Sequence, residues 1–165
     1  MEVVAIGNRG SDLPESVLGR TADSERSRFQ LTVGNAYAVY AMAIRNGNLG
    51  LLMLGDHARP IWCHVELFEF SDAALPVGWS FTTRDEEIFG VSALWGYLSM
   101  IQKPSHNDDL MERKRSAWSD FLADNEWAIR EGPDQDKMRM LNGMFQSGRT
   151  FLRPPHTGTA ASAGE

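Results

Sequence analysis

The spacing of apolar and polar residues changes about halfway along the chain, from a period of two to helical intervals. Between Phe29 and Phe70 the alternation is that of β-strands, whose successive side chains point to opposite faces. Residues 29–45 predict one long strand with two largely apolar faces, which is typical of a strand at the centre of a sheet. Residues 2–7 predict a short strand before it.

A tight turn at Asn46-Gly47 is the strongest local signal in the sequence. A two-residue type I′ turn requires positive φ at both positions, and Asn-Gly adopts that conformation readily. Residues 49–54 and 61–70 predict two further strands, separated by a polar turn over 55–60. The sequence therefore predicts an antiparallel meander sheet, which could curl into a half-open small barrel.

Helical spacing begins after Pro76 and Gly78, two residues that oppose a continuing strand. Apolar residues at helical intervals predict helices over about 85–102 and about 108–130. A short third helix is predicted before Gly148. The predicted fold class is α+β, with the meander packed against two or three C-terminal helices.

Chain length predicts one domain over 1–150, because 165 residues suffice for a single hydrophobic core. Two segments lack a clear period. Residues 8–28, rich in Gly, Ser and charged side chains, predict a long loop that is either ordered or flexible. Residues 151–165 are small and polar, and predict a disordered C-terminal tail.

Charge and cysteine content narrow the class of partner. The net charge is −6, and residues 85–136 carry twelve acids but five bases. This balance argues against nucleic acid, since phosphate binding relies on clustered Lys and Arg. The longest nearly apolar stretch, 49–54, is too short to span a membrane, and a single cysteine fits a reducing compartment. With no basic and apolar leader at the N-terminus, the chain is expected to be cytoplasmic.

The third predicted strand carries the residues with the most reactive side chains. His64-Val65-Glu66 matches the H-x-E half of a zinc nucleobase deaminase, but the second half needs further cysteines, and Cys63 is the only one. Cys63 and His64 are adjacent on a strand and point to opposite faces, so they cannot pair as nucleophile and base. Cys63 is expected to be a small buried apolar residue.

A small-ligand site, or the site of a metal-dependent enzyme, between the sheet and the first helix is one functional hypothesis. Its residues would be Asp56, His57, Trp62, His64 and Glu66. His64 and Glu66 lie two apart and would share a strand face. The competing interpretation is that these are polar residues on the exposed side of an antiparallel sheet. No metal ligand set and no cofactor is predicted.

A protein-binding surface on the acidic helical half is the other hypothesis. Among the five tryptophans, Trp127 lies outside the main apolar stripe of the second predicted helix, and tryptophan is enriched at binding hot spots. Together with Asp120, Asp124 and Glu126 it forms the predicted binding site. A homo-oligomeric structural protein is a third possibility, and the sequence leaves the oligomeric state open.

Between Gly34 and Tyr97 a set of aromatic, glycine and proline positions forms a recognisable pattern: Tyr37-x-Val39-Tyr40-Ala41, Gly47-x-Leu49, Asp56, Pro60-x-Trp62, Glu66-Leu67-Phe68-Glu69, Leu75-Pro76-x-x-Trp79 and Trp95-Gly96-Tyr97. In these positions the chain resembles a group of small uncharacterised bacterial proteins, similar in style to the immunity proteins encoded beside bacterial toxins. This resemblance implies a non-catalytic protein-binding module that neutralises a toxin. A basic toxin domain would complement the acidic helical half.

Overall fold

The computed structural model describes residues 1–147, apart from the side chain of Phe89, and contains two antiparallel sheets and a helical layer. The strands are β1 Glu2–Ala5, β2 Ala36–Ala38, β3 Ala41–Arg45, β4 Asn48–Leu54, β5 Pro60–His64, β6 Phe68–Asp72, β7 Ser80–Thr83 and β8 Ala93–Gly96. The helices are α1 Glu15–Leu18, α2 Glu86–Phe89, α3 Leu98–Gln102, α4 His106–Met111, α5 Arg115–Asp124, α6 Trp127–Arg130 and α7 Gln135–Gln146. The tail predicted over 151–165 lies outside the described residues.

One sheet has the strand order β2-β1-β6 and the other β5-β4-β3-β8-β7. Every strand pair is antiparallel, so the predicted α+β class is confirmed. Within residues 1–147 neither sheet closes into a barrel. No helix in this part of the chain is long and apolar enough to cross a membrane.

The predicted turn at Asn46-Gly47 joins β3 to β4 and is confirmed. Both residues have positive φ, 49° and 73°, and Arg45 pairs with Asn48 across the turn. β3 is the central strand of the five-stranded sheet, as the apolar character of both its faces predicts.

The prediction of single strands over 29–45 and 61–70 is wrong, because the chain changes sheet within each run. β2 and β3 separate at Val39-Tyr40 and belong to different sheets. A 3₁₀ turn over Val65–Leu67 separates β5 from β6 in the same way. The alternation of apolar residues continues through both corners, because the strands on both sides of each corner bury apolar side chains in one of the two cores.

The predicted helix over 85–102 is also wrong, since a strand interrupts it. α2 ends at Gly90, whose φ of 65° is left-handed. The chain then forms β8, which pairs with β3 on one side and β7 on the other. Gly96 makes this pairing possible, because a Cβ there would lie 2.9 Å from the Cβ of Ala41.

The predicted helix over 108–130 is divided into three helices, α4, α5 and α6. Arg113, with φ 63°, turns the chain between α4 and α5. Buried Asn125 ends α5 by donating its side-chain amide to the Phe121 carbonyl at 2.8 Å. The third predicted helix is confirmed as α7.

The five-stranded sheet has an apolar core on each face. The helix-facing core contains Ala41, Leu52, Leu54 and Leu94 from the sheet and Trp118, Phe121, Leu122 and Leu141 from the helices. The opposite core contains Leu51, Met53 and Cys63 with Val3, Tyr37 and Phe68 from the small sheet. Leu13 and Val17 of the segment 8–28 are buried in this second core, so part of this segment packs against the sheets.

Candidate functional site

A hollow lies on the helix-facing side of the five-stranded sheet, above the small residues Ala43 and Gly50. Leu94, Ala43, Gly50 and His64 are directly paired across β8, β3, β4 and β5, so their side chains share one face. Ala43 and Gly50 contribute almost no side-chain volume in the middle of this row. The resulting space of about 290 Å³ is called the cleft below.

Trp62 forms one wall of the cleft. A Cβ added to Gly50 would lie 3.5 Å from Cε3 of the Trp62 ring, so the ring stands beside the floor. Its indole N–H donates to Oδ1 of Asn107 at 2.8 Å, which holds the ring against α4. Trp62, Ala43 and Arg45 also line an adjoining hollow of about 160 Å³.

His64 and Asp23 form a pair at another side of the cleft. Nε2 of His64 lies 2.9 Å from Oδ2 of Asp23, which comes from the loop after α1, 41 residues away in the sequence. The Phe29 ring meets the imidazole edge-on at 5.9 Å. A carboxylate and an aromatic ring therefore fix the orientation of this imidazole.

Cys63 cannot act as a nucleophile with His64 as its base. The thiol is buried in the opposite core, and burial raises the pKa of Cys63 to about 12, with a further contribution from the Asp23 charge. The expectation that Cys63 is a small buried residue is confirmed. Burial therefore keeps Cys63 in the unreactive thiol form.

Arg45 supplies the cationic group of the cleft. It is the last residue of β3, is exposed, and pairs across the turn with Asn48, which is buried. Within residues 1–147 its guanidinium has neither a hydrogen-bond nor an ion-pair partner. The cleft thus combines one unpaired cation with one paired acid.

The structure brings together only some residues of the predicted ligand site. Trp62 and His64 line the cleft, whereas Asp56, His57 and Glu66 do not. Glu66 lies in the 3₁₀ turn, where one carboxylate oxygen is buried without a hydrogen-bond partner among the described residues. Throughout residues 1–147, no group of three His, Cys, Asp or Glu side chains could hold a metal ion.

Asp56 has a different environment, at the end of the small sheet. Its carboxylate accepts hydrogen bonds from the Tyr37 hydroxyl at 2.6 Å and the Thr32 hydroxyl at 2.9 Å. Burial and this carboxylate raise the pKa of Tyr37 to about 12. These contacts connect the loop before β2 to the turn after β4.

The four residues of the predicted protein-binding site all have partners within the fold. Trp127 is half-buried and packs against the Tyr40 ring at 6.0 Å. Asp120 accepts from Lys103 at 2.6 Å, and Asp124 accepts from the Ser99 amide, at the start of α3, at 2.8 Å. Glu126 pairs with Arg130 on the surface. Each of these contacts contributes to holding the helical layer together.

A second exposed region, absent from the sequence-based candidates, runs from the three-stranded sheet to the edge of the five-stranded sheet. We call residues 69–88 the edge segment; it includes most of β6 in the three-stranded sheet, β7 in the five-stranded sheet, and α2. Its exposed large apolar side chains are Phe70 (42%), Leu75 (56%), Val77 (103%), Phe81 (53%) and Ile88 (73%). Among residues 1–147, β8 is the one strand that pairs with β7, and the other edge of β7 is open in this part of the chain. The sequence predicts a break in the strand pattern at Leu75-Pro76-Val77-Gly78, but it does not show that Leu75 and Val77 are exposed.

The charges of the edge segment are almost all negative. Its acids, all exposed, are Glu69, Asp72, Asp85, Glu86 and Glu87. Arg84 is its only base, and it turns inward to donate to the carbonyls of Met100 and Ile101 at 3.3 and 3.2 Å. The outward charge of the segment is therefore acidic.

No family model, curated protein or solved structure matched this chain.

Proposed function

We propose that this protein is a non-catalytic binding module whose edge segment docks a basic protein, in the manner of an immunity-type protein that neutralises a toxin. The supporting observation is the concentration of exposed apolar side chains among acids on an open strand edge. Large exposed apolar groups with a polar surround are typical of protein interfaces.

The apolar side chains would provide the centre of the interface. Leu75 and Val77 precede β7 and expose most of their surface, so a partner could bury them without moving the core. Phe81 is held by the Trp95 ring, with the two ring centroids 4.8 Å apart. A preordered aromatic side chain loses little conformational entropy on binding, which favours affinity.

The acids would select the partner by charge. Five exposed carboxylates with one inward-turned arginine repel an acidic surface and attract a basic one. Such complementarity speeds diffusional encounter and weakens as the salt concentration rises. A toxin domain with a basic surface would meet this requirement.

The open edge of β7 would add main-chain hydrogen bonds. An unpaired edge strand can accept an extended segment of another chain, which is a recurrent mode of peptide recognition. β7 is short, four residues, so this pairing would supplement the side-chain contacts and would not replace them.

A binding experiment with matched variants tests this function. The full chain, the double variant Leu75→Ser/Val77→Ser and the control Met140→Ser would each be immobilised and exposed to host lysate and to the product of a neighbouring gene. Met140 is an exposed apolar residue on α7, away from the edge segment in the sequence. We expect one basic protein to bind the native chain and the control but not the double variant, with salt-dependent affinity.

The immunity role has its own readout. The captured protein should arrest growth when expressed alone, and coexpression of the native chain, but not of the double variant, should restore growth. A partner retained equally by all three chains, or the absence of any basic partner, would contradict the proposal.

A further inference from the structure

We infer that the cleft is a binding site for a small organic carboxylate, with Arg45 as the group that pairs with the carboxylate and Trp62 as the wall that contacts its apolar body. Neither residue belongs to the edge segment, and the cleft lies on the opposite face of the sheet from Phe81. This site and the proposed docking function can therefore fail separately.

The floor of the cleft is open because of two particular residues. Elsewhere on this face Leu52 and Leu54 fill the space between the sheet and the helices. At Gly50 a Cβ would meet no atom nearer than 3.5 Å, which is ordinary van der Waals contact. A side chain would fit there, so packing does not require glycine at this position, and its absence leaves room for a ligand.

The positive charge of Arg45 in the cleft favours an anionic ligand. Of the residues that the structure describes, Arg45 is the one Lys or Arg that lines the cleft, and Asp23 is the one Asp or Glu. Asp23 already has a hydrogen-bond partner in His64 at 2.9 Å, so Arg45 is the charged group of the cleft without a partner among the described residues. A guanidinium presents its donors as a planar fork that fits an oxyanion in two-point contact.

The balance of charge favours a carboxylate over a phosphate. One carboxylate neutralises one guanidinium, whereas a phosphate carrying nearly two charges would leave an excess close to Asp23. Asn48, the first residue of β4, adds a side-chain amide beside Arg45, and its Nδ2 donates only a long hydrogen bond, 3.4 Å, to the Asn46 carbonyl.

The rest of the cleft suits a compact apolar body. Its volume of about 290 Å³ is close to the lower limit of ligand pockets, about 300 Å³. The floor at Ala43 and the ring of Trp62 are apolar, and the bond to Asn107 keeps that ring in place. A small aromatic or aliphatic carboxylic acid matches these walls in size and chemistry.

The test is an NMR titration of the full ¹⁵N-labelled chain with benzoate, indole-3-acetate and hexanoate, their carboxamides, and inorganic phosphate. We expect at least one carboxylate to shift the amide signals of Ala43, Gly50 and His64, while its carboxamide and phosphate do not. Arg45→Gln should weaken this binding at least tenfold. Arg59→Gln, which removes another exposed arginine, should leave it unchanged.

A second variant fills the space and leaves the charge in place. Gly50→Val should abolish carboxylate binding, because its methyl groups would occupy the floor, while the backbone can keep its strand conformation. The inference is overturned if no carboxylate shifts these signals, if phosphate or the carboxamide binds as well, or if Arg45→Gln binds normally. Since Arg45 is exposed, its variant tests the inference even if Gly50→Val does not fold.

Discussion

Tyr40 and Asp134 meet inside the protein, where the tyrosine hydroxyl donates to Oδ2 of the aspartate at 3.3 Å across 94 residues of sequence. The amide of Ala38 donates to the same oxygen at 3.3 Å, and Nζ of Lys137 donates to the other oxygen at 2.7 Å. Burial raises the pKa of Asp134, although the Lys137 charge acts in the other direction. This network connects the start of α7 to β2 and the beginning of β3.

Removal of Lys137 should therefore be costly. Lys137→Met leaves the Asp134 carboxylate buried without its cation and also removes a 2.9 Å bond to the Leu54 carbonyl. We expect the free energy of unfolding in urea to fall by about 3 kcal/mol. Lys103→Met, which breaks the more exposed pair with Asp120, should cost less than about 1 kcal/mol. Equal losses in the two variants would contradict this ranking.

His106 should make stability depend on pH. It is buried, with Nε2 2.9 Å from the Tyr97 hydroxyl, and burial lowers its pKa below 6.5 despite the nearby Asp120. The unfolded chain then binds a proton more readily than the native state, so stability is lost as the pH falls from 6.5 towards the lowered pKa.

The measurement is urea unfolding between about pH 7 and about pH 5, the range in which an ordinary histidine titrates. His106→Gln should lose less stability over this interval than the native chain does, whatever its stability at neutral pH. His57→Gln, at an exposed histidine, serves as the control and should keep the native slope. A native slope in His106→Gln would show that this side chain does not resist protonation.

Two glycine substitutions should change stability in opposite directions. Gly47 has φ 73°, so Gly47→Val should lower the free energy of unfolding by at least about 1–2 kcal/mol, the cost of left-handed backbone. Gly143 lies within α7 with no atom near its missing Cβ, so Gly143→Ala should raise it by about 0.5–1 kcal/mol. Thermal unfolding of both variants would check the two signs, and the same sign in both would be contrary to expectation.

Cys63 should be inert towards thiol reagents in the native protein. The thiolate is the reactive form, and burial raises the pKa of this thiol to about 12. We expect negligible labelling by iodoacetamide in the folded state at neutral pH and complete labelling in denaturant. Rapid labelling of the native chain would mean that the core between the two sheets opens frequently.

The features that the sequence predicts correctly depend on interactions between residues close together in the chain. The turn at Asn46-Gly47 depends on the φ preferences of those two residues, and the burial of Cys63 follows from alternation within one strand. α7 is predicted by apolar spacing along a single helix. In each case the information lies within a few residues of the feature, so one sequence contains it.

Long-range pairing decided the rest. β8 has helical spacing but becomes a strand because β3 and β7 offer it hydrogen-bond partners on both sides. At Val39-Tyr40 and Val65–Leu67 the chain turns a corner, because the strands before and after each corner belong to different sheets and their apolar side chains are divided between two cores. Alternation can be recognised within one strand. Which sheet a strand joins depends on contacts with residues far away in the sequence.

The cleft shows the same division at the level of single residues. Trp62 and His64 stood out in the sequence because their side chains are large or ionisable. Asp23, Arg45 and Gly50 did not, since Asp23 reaches His64 from 41 residues away and Gly50 matters only as space between neighbouring strands. The sequence itself determines the chemistry of each side chain. A cavity between side chains forms only when the strands pair in the folded structure.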